Sequence, residues 1–185
     1  MSKPPAAPRK WSHLEVAQLL ISRTAMTELS LEDAQRIVHR MHTVAIKEGA
    51  VLVQEGTSSN SNYMLLILNG EAVVENEGLK KKDSLILGVV GTGHIIGETG
   101  LLDGEARSAT CTASTDMDVA VLDSQALAKL IETEPATGCK LLAALLQRTS
   151  SRLRSTNRKL RVLTQISRTL EEEISNLGRA QHPQR

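Results

Sequence analysis

Three hydrophobic spacings follow one another along the chain. After a proline-rich, polar opening that predicts a flexible tail over residues 1–10, apolar residues recur at helical intervals. Leu14, Val16, Leu19, Leu20 and Ile21 follow a Ser12-x-x-Glu15 capping box, and Leu31, Ile37, Val38 and Met41 follow Ser30. From about Val44 to Leu122 the pattern changes to short apolar or alternating runs between glycine and polar turns. These runs are Ala50–Gln54, Met64–Leu68, Ala72–Glu75, Leu85–Val90, Ser108–Ala113 and Val119–Leu122. Their even spacing predicts antiparallel strands in a sandwich or jelly roll. Beyond Leu122 the spacing is helical again: a short helix over Ser124–Ile131, then a long one opening at Pro135, the favoured first helical position.

The long helix carries two interleaved seven-residue series. Leu142, Thr149, Thr156, Leu163, Leu170 and Leu177 form one, and Leu146, Leu153, Leu160, Ser167 and Ile174 the other. Eight of these eleven positions are Leu or Ile, the pattern of a coiled-coil seam. At about 1.5 Å per residue such a helix reaches about 60 Å, too long to be covered by its own domain, so homodimerisation is expected to bury it. Between Lys140 and Arg168 there are eight Lys or Arg residues and no Asp or Glu. The ordinary reading is a solvated basic face that complements the acidic Glu171–Glu173 patch of a neighbour or binds an acidic partner; the alternative is direct contact with nucleic-acid phosphates.

Composition narrows the function classes. The 185 residues are 41% hydrophobic, enough for a core, but Trp11 and Tyr63 are the only aromatics, so the core must be aliphatic. A net charge of +1 gives no whole-molecule sign of a polyanionic partner. No apolar run approaches the about 18–20 residues of a membrane span and the first residues lack a secretory signal, so a cytoplasmic protein without membrane attachment is expected. Cys111 and Cys139 read as reduced thiols. His39 and His42, one turn apart, read as a helix face and not as a metal pair, and no metal is expected. Lys80, Lys81 and Lys82 fall in an expected hairpin loop. Gly91-x-Gly93 with Gly97 mimics part of a dinucleotide fingerprint, but without a surrounding βαβ unit these glycines serve turns. No nucleophile elbow, phosphate loop or paired catalytic carboxylates occurs, so an enzyme is not expected.

The densest chemistry lies between Gly97 and Ala109, G-E-T-G-L-L-D-G-E-A-R-S-A. Arg107 offers a permanently charged, planar fork of donors suited to a phosphate. Glu98 cannot serve phosphate charge, but an ionised carboxylate accepts hydrogen bonds from a sugar hydroxyl. Phosphate and ribose together imply a nucleotide. The plain alternative is an exposed Arg107–Glu98 ion pair, worth about 0–1 kcal/mol and needing none of the flanking glycines.

This segment resembles the phosphate-binding cassette of cyclic nucleotide-binding domains. The resemblance begins near Met26 and passes through Lys47-Glu48-Gly49, Gln54-Glu55-Gly56 and Tyr63–Gly70. It then runs through the cassette to Leu146-Gln147-Arg148-Thr149-Ser150, about three quarters of the chain. It implies an α+β fold: an antiparallel β-roll (jelly roll) flanked by N-terminal helices and a long C-terminal coiled-coil dimerisation helix. The domain would occupy residues 11–133 and the dimer helix 134–178, with a second tail at 179–185.

Carried over by position, the resemblance makes Arg107 and Ser108 phosphate ligands, Glu98 the acceptor for the ribose 2′-hydroxyl, and the amides around Gly97, Glu98 and Thr99 the rest of the cradle. Thr149 and Ser150 match a pair that reaches the exocyclic amine of adenine, the serine arriving from the other subunit; a polar Thr149 also suits a register-setting role. Leu145 stands where relatives place an arginine, and Ser108 is also suited to a guanine base. These two departures weaken the case for adenine, but the Thr149–Ser150 match still favours cyclic AMP as ligand, with cyclic GMP second. The chain beyond Leu163 has no room for a helix-turn-helix domain, so DNA binding of that kind is not expected of this sequence: either output passes to an unidentified downstream protein, or the chain is a fragment of a longer regulator. The alternative function is a coiled-coil adaptor or transcription regulator with a degenerate or cyclic di-GMP-binding pocket.

Overall fold

The computed structural model describes residues 9–58, 62–77 and 84–181. The chain divides into two compact units, Met1–Leu145 and Leu146–Arg185. The expected Lys80–Lys82 hairpin loop, the first eight residues of the expected N-terminal tail and the last four of the C-terminal one lie outside the described residues.

Two short helices open the first unit, α1 (His13–Leu20) and α2 (Leu31–Val38). The predicted capping box is present: Ser12 Oγ accepts from the Glu15 amide at 3.3 Å and the Glu15 carboxylate accepts from the Ser12 amide at 2.9 Å. Ser30 caps α2 by accepting from the Asp33 amide at 3.1 Å. Helix α2 ends at Val38, so His39 is its C-cap and His42 opens the first strand. The expected shared helix face of these two histidines does not form; His39 instead meets His13, ring centroids 4.3 Å apart.

The β-roll is built from β1 (His42–Ile46), β2 (Val51–Val53), β3 (Tyr63–Asn69), β4 (Glu71–Glu77), β5 (Ser84–Gly91), β6 (Ile95–Ile96), β7 (Thr110–Ala113) and β8 (Met117–Asp123). They form two four-stranded antiparallel sheets, ordered β1-β8-β3-β6 and β2-β7-β4-β5. Strand alternation explains why β3 is apolar at five successive positions. Leu65 and Ile67 point into a cluster with Leu52, Ala72, Cys111 and Val119, while Met64, Leu66 and Leu68 point the other way, among Leu20, Ile37, Ala120 and Leu122. A strand buried on both faces cannot alternate with polar residues. Each fully buried leucine contributes about 1.5–3 kcal/mol of hydrophobic stabilisation.

Gly70 makes the corner at which the chain leaves one sheet for the other. Its φ is +88°, and a Cβ there would strike Met117 and lie 2.8 Å from the Asp116 carbonyl oxygen.

Between the strands sits α3 (Glu98–Asp103), and after them α4 (Ser124–Thr133) and α5 (Pro135–Gln181). The α2 helix is clasped to the α4–α5 elbow. Asp33, 5% exposed, accepts from Ser30 Oγ at 2.6 Å, Lys140 Nζ at 2.8 Å and Thr137 Oγ1 at 3.3 Å, while Arg36 and Arg40 both approach Glu134 at 3.6 Å. Among the described residues, no helix is long and apolar enough to cross a membrane.

Candidate functional site

Seven residues carry the expected site, and the first unit holds five of them, gathered around α3 and the segment after it. Gly97 is the N-cap of α3 with φ +79° and ψ 16°, a left-handed conformation that turns the chain from β6 into the helix. Glu98 and Thr99 begin the helix; Glu98 is 2% exposed and Thr99 is half-buried. Gly104 ends it in a second left-handed turn, its amide donating to the Gly100 carbonyl at 3.1 Å. Arg107 follows, 6% exposed, between the exposed Ala106 and Ser108. Ser108 and Ala109, expected in a strand, precede β7, which begins at Thr110. Thr149 and Ser150 belong to the second unit, both half-exposed on α5.

The buried guanidinium is held by main chain. Arg107 Nη1 donates to the Gly97 carbonyl at 2.8 Å and Nη2 to the Tyr63 carbonyl at 2.9 Å. Its Cζ lies 4.5 Å from the centroid of the Tyr63 ring, a cation–π contact, and the Tyr63 hydroxyl is itself anchored by donating to the Leu52 carbonyl at 2.8 Å. The Arg107 backbone is equally fixed: its amide donates to the Thr57 carbonyl at 3.1 Å and its carbonyl accepts from the Gly56 amide at 2.9 Å. Gly56 and Thr57, just after β2, thus hold the Arg107 backbone, while the Gly97 and Tyr63 carbonyls hold its side chain.

Electrostatically the arrangement is lopsided. Desolvating a guanidinium costs several kcal/mol unless anions or aligned acceptors compensate. Two carbonyl oxygens supply only partial negative charge, and one of them, that of Gly97, belongs to the N-cap of α3, at the positive end of that helix. A small anion is the counter-charge suited to this guanidinium. Glu98, the next residue after Gly97, is buried and carries a carboxylate, a group that accepts hydrogen bonds from hydroxyls.

Sequence reasoning placed Arg107, Glu98, Gly97, Thr99 and Ser108 in one segment, and the structure brings those five together. It gave no role to Tyr63 or to the Gly56–Thr57 loop. The scarcity of aromatics was the available signal: one of only two in the chain opens β3, the strand buried at five successive positions.

Comparison with known proteins gives a consistent picture. A family model described as cyclic nucleotide-binding domain matches residues 43–134, from β1 to the end of α4. The chain is similar to the crystal structure of a cyclic nucleotide-binding domain from Methylobacillus flagellatus, with 33% identity over 77% of this chain and 79% of that one, at a TM-score of 0.66. It is also similar to the catabolite activator protein of Thermus thermophilus, with 25% identity, 79% of this chain and 63% of that one covered, and a TM-score of 0.63. Among curated proteins, the cAMP-dependent protein kinase regulatory subunit of Yarrowia lipolytica is 26% identical over 106 residues. That match covers 57% of this chain, which thus spans about a quarter of the relative's length, 27%.

Proposed function

We propose, from the premise that this chain belongs to the cyclic nucleotide-binding domain family, that it is a sensor binding a 3′,5′-cyclic nucleotide in its own cassette. Cyclic AMP is the preferred ligand and cyclic GMP the second. The observation that carries the reading is the buried Arg107, fixed by carbonyls and an aromatic ring at the positive end of α3 with a buried carboxylate beside it. In this reading Arg107 and the exposed Ser108 hold the cyclic phosphate, the amides around Gly97, Glu98 and Thr99 complete the cradle, and Glu98 accepts from the ribose 2′-hydroxyl. The preference for adenine draws support from the similarity to a cAMP-dependent kinase regulatory subunit.

Residues 11–133 form the sensor and 134–178 the output helix. The leucines at seam positions on that helix, Leu146, Leu153, Leu160, Leu163 and Leu170, are all exposed, and a second copy is the simplest cover for a seven-residue repeat. Thr149, with Ser150 of the second copy, would then contact the base, so that binding shifts the disposition of the two helices and is read by a downstream protein.

Calorimetric titration with cyclic AMP, cyclic GMP and cyclic di-GMP side by side tests the reading, with Arg107→Ala as control. Micromolar binding of cyclic AMP is expected, weakened by about two decades or more in the variant, since charge-assisted hydrogen bonds contribute about 1.5–3 kcal/mol each. Silence with all three nucleotides, or equal affinity in the variant, would overturn it. A parallel mass measurement on a Leu153→Lys/Leu160→Lys variant, expected to be monomeric where the parent is dimeric, tests the seam.

A further inference from the structure

We propose that the outer stripe of α5 binds the phosphodiester backbone of duplex nucleic acid, independently of base sequence. Within the second unit, Ser151, Arg154, Arg158, Arg161, Gln165 and Arg168 are spaced alternately three and four residues apart, which aligns them on one side of the helix. All six are exposed. They lie opposite the leucine seam at 146, 153, 160, 163 and 170, so the contact that would bury the seam leaves the stripe facing outward. The surface depends on the dimer reading only for its valency, because a dimer carries the stripe twice.

Every side chain on this stripe is a hydrogen-bond donor, and no carboxylate occurs anywhere from Lys140 to Thr169. The basic run is bounded sharply: Glu172 occupies the next stripe position within the acidic Glu171–Glu173 triplet. Arginine outnumbers lysine six to two between 140 and 168, and the guanidinium fork matches phosphate oxygens in a way an ammonium does not. Ser151 at the head of the stripe and Gln165 between Arg161 and Arg168 are neutral donors of types that also contact nucleic-acid backbones. From Ser151 to Arg168 the stripe extends about 25 Å at about 1.5 Å per residue, matching a row of about seven duplex steps.

A lipid surface fits less well. Interfacial helices anchor a broad apolar face with aromatics, whereas both aromatics of the chain, Trp11 and Tyr63, lie outside this helix, and beside its leucine seam the exposed apolar residues are Val162 and Ile166. An acidic protein would have to present a carboxylate row of the same length, which a phosphodiester chain has by construction.

The test is fluorescence polarisation of the full chain with a labelled mixed-sequence duplex of about 25 base pairs, titrated from about 50 to 200 mM salt. Binding at low salt is expected, with affinity falling linearly on logarithmic axes by about 0.9 per phosphate contact. An Arg154→Gln/Arg158→Gln/Arg161→Gln variant should lose at least about tenfold in affinity at low salt and flatten the slope by about two to three. Its cyclic nucleotide affinity and dimer mass should be unchanged, so failure here is separable from failure of the sensor reading. Absence of duplex binding at low salt, or binding in the variant equal to the parent, overturns the proposal. So does displacement of the duplex by polyglutamate at equal charge, or retention on phosphatidylglycerol vesicles without duplex binding.

Discussion

Arg107 lies over the ring of Tyr63, Cζ to centroid 4.5 Å, while its Nη2 donates to the carbonyl of the same tyrosine at 2.9 Å. One residue therefore fixes both the plane and the direction of the guanidinium. The Tyr63 hydroxyl, bonded to the Leu52 carbonyl, ties that plane to β2.

Tyr63→Leu removes the ring face but keeps the carbonyl. A cation–π contact of about 0.5–2 kcal/mol predicts cyclic AMP affinity lower by about 2- to 30-fold, and Tyr63→Phe, which keeps the face and loses only the hydroxyl bond, should recover most of it. Calorimetry alongside thermal unfolding checks this. If Tyr63→Leu lowered the melting temperature while leaving affinity intact, the ring would be a packing element and not a positioning one.

Gly97 and Gly104 offer a matched comparison at the two ends of α3. Both are left-handed, at φ +79° and +68°. An alanine at either should cost about 1–2 kcal/mol of stability through backbone strain. They differ in what the new methyl meets: at Gly97 it runs into Arg107 Nη1, at Gly104 it finds only Asn62 Oδ1 at 3.6 Å. Gly97→Ala is therefore expected to reduce nucleotide affinity at least about tenfold and Gly104→Ala to leave it nearly unchanged, as read by titration of both variants beside the parent.

These contrasts show what was legible in the sequence. The Ser12–Glu15 capping box, the Ser30 cap and the opening of α5 at Pro135 are local signals, and each stands where its residues placed it. Strand β3 was visible because burial on both faces forces an unbroken apolar run, whereas β6 has two residues and α3 six between its glycine caps, too short for any period to register. Strand β1, with a mostly exposed HTVAI, alternates too weakly to separate from the preceding helix, which is why His39 and His42 looked like helix neighbours. In the candidate site, Gly97, Glu98, Thr99, Arg107 and Ser108 lie within one segment, so their grouping was readable. The Tyr63 carbonyl and ring reach Arg107 from 44 residues away, through sheet register that no local pattern encodes.

The Asp33–Lys140 contact makes acid stability testable. The Lys140 hydrogen bond, then that of Ser30, hold the Asp33 carboxyl below the usual carboxylate range despite its burial. A depressed folded value means the contribution is complete above the unfolded aspartate range, near pH 4, and disappears as pH falls through and below it. Asp33→Asn should therefore destabilise by about 1–2 kcal/mol at pH 7, with the difference from the parent shrinking below about pH 4. Denaturant unfolding at neutral and acid pH measures it; a difference that persists undiminished at low pH would assign the loss to packing.

Thr149 is where seam and ligand reading meet, since it occupies a heptad position taken by leucine at 142, 163 and 170. If its hydroxyl only sets register, Thr149→Leu should tighten the dimer without altering the ratio of cyclic AMP to cyclic GMP affinity. If it reads the exocyclic amine of adenine, the same substitution should tighten the dimer and lower that ratio by about 5- to 10-fold, the scale of one neutral hydrogen bond of about 1 kcal/mol or slightly more. We expect the second outcome. Sedimentation and paired titrations on the single variant separate the two, because only base recognition moves the ratio, while removal of a polar group from an apolar seam moves the dimer constant in both cases.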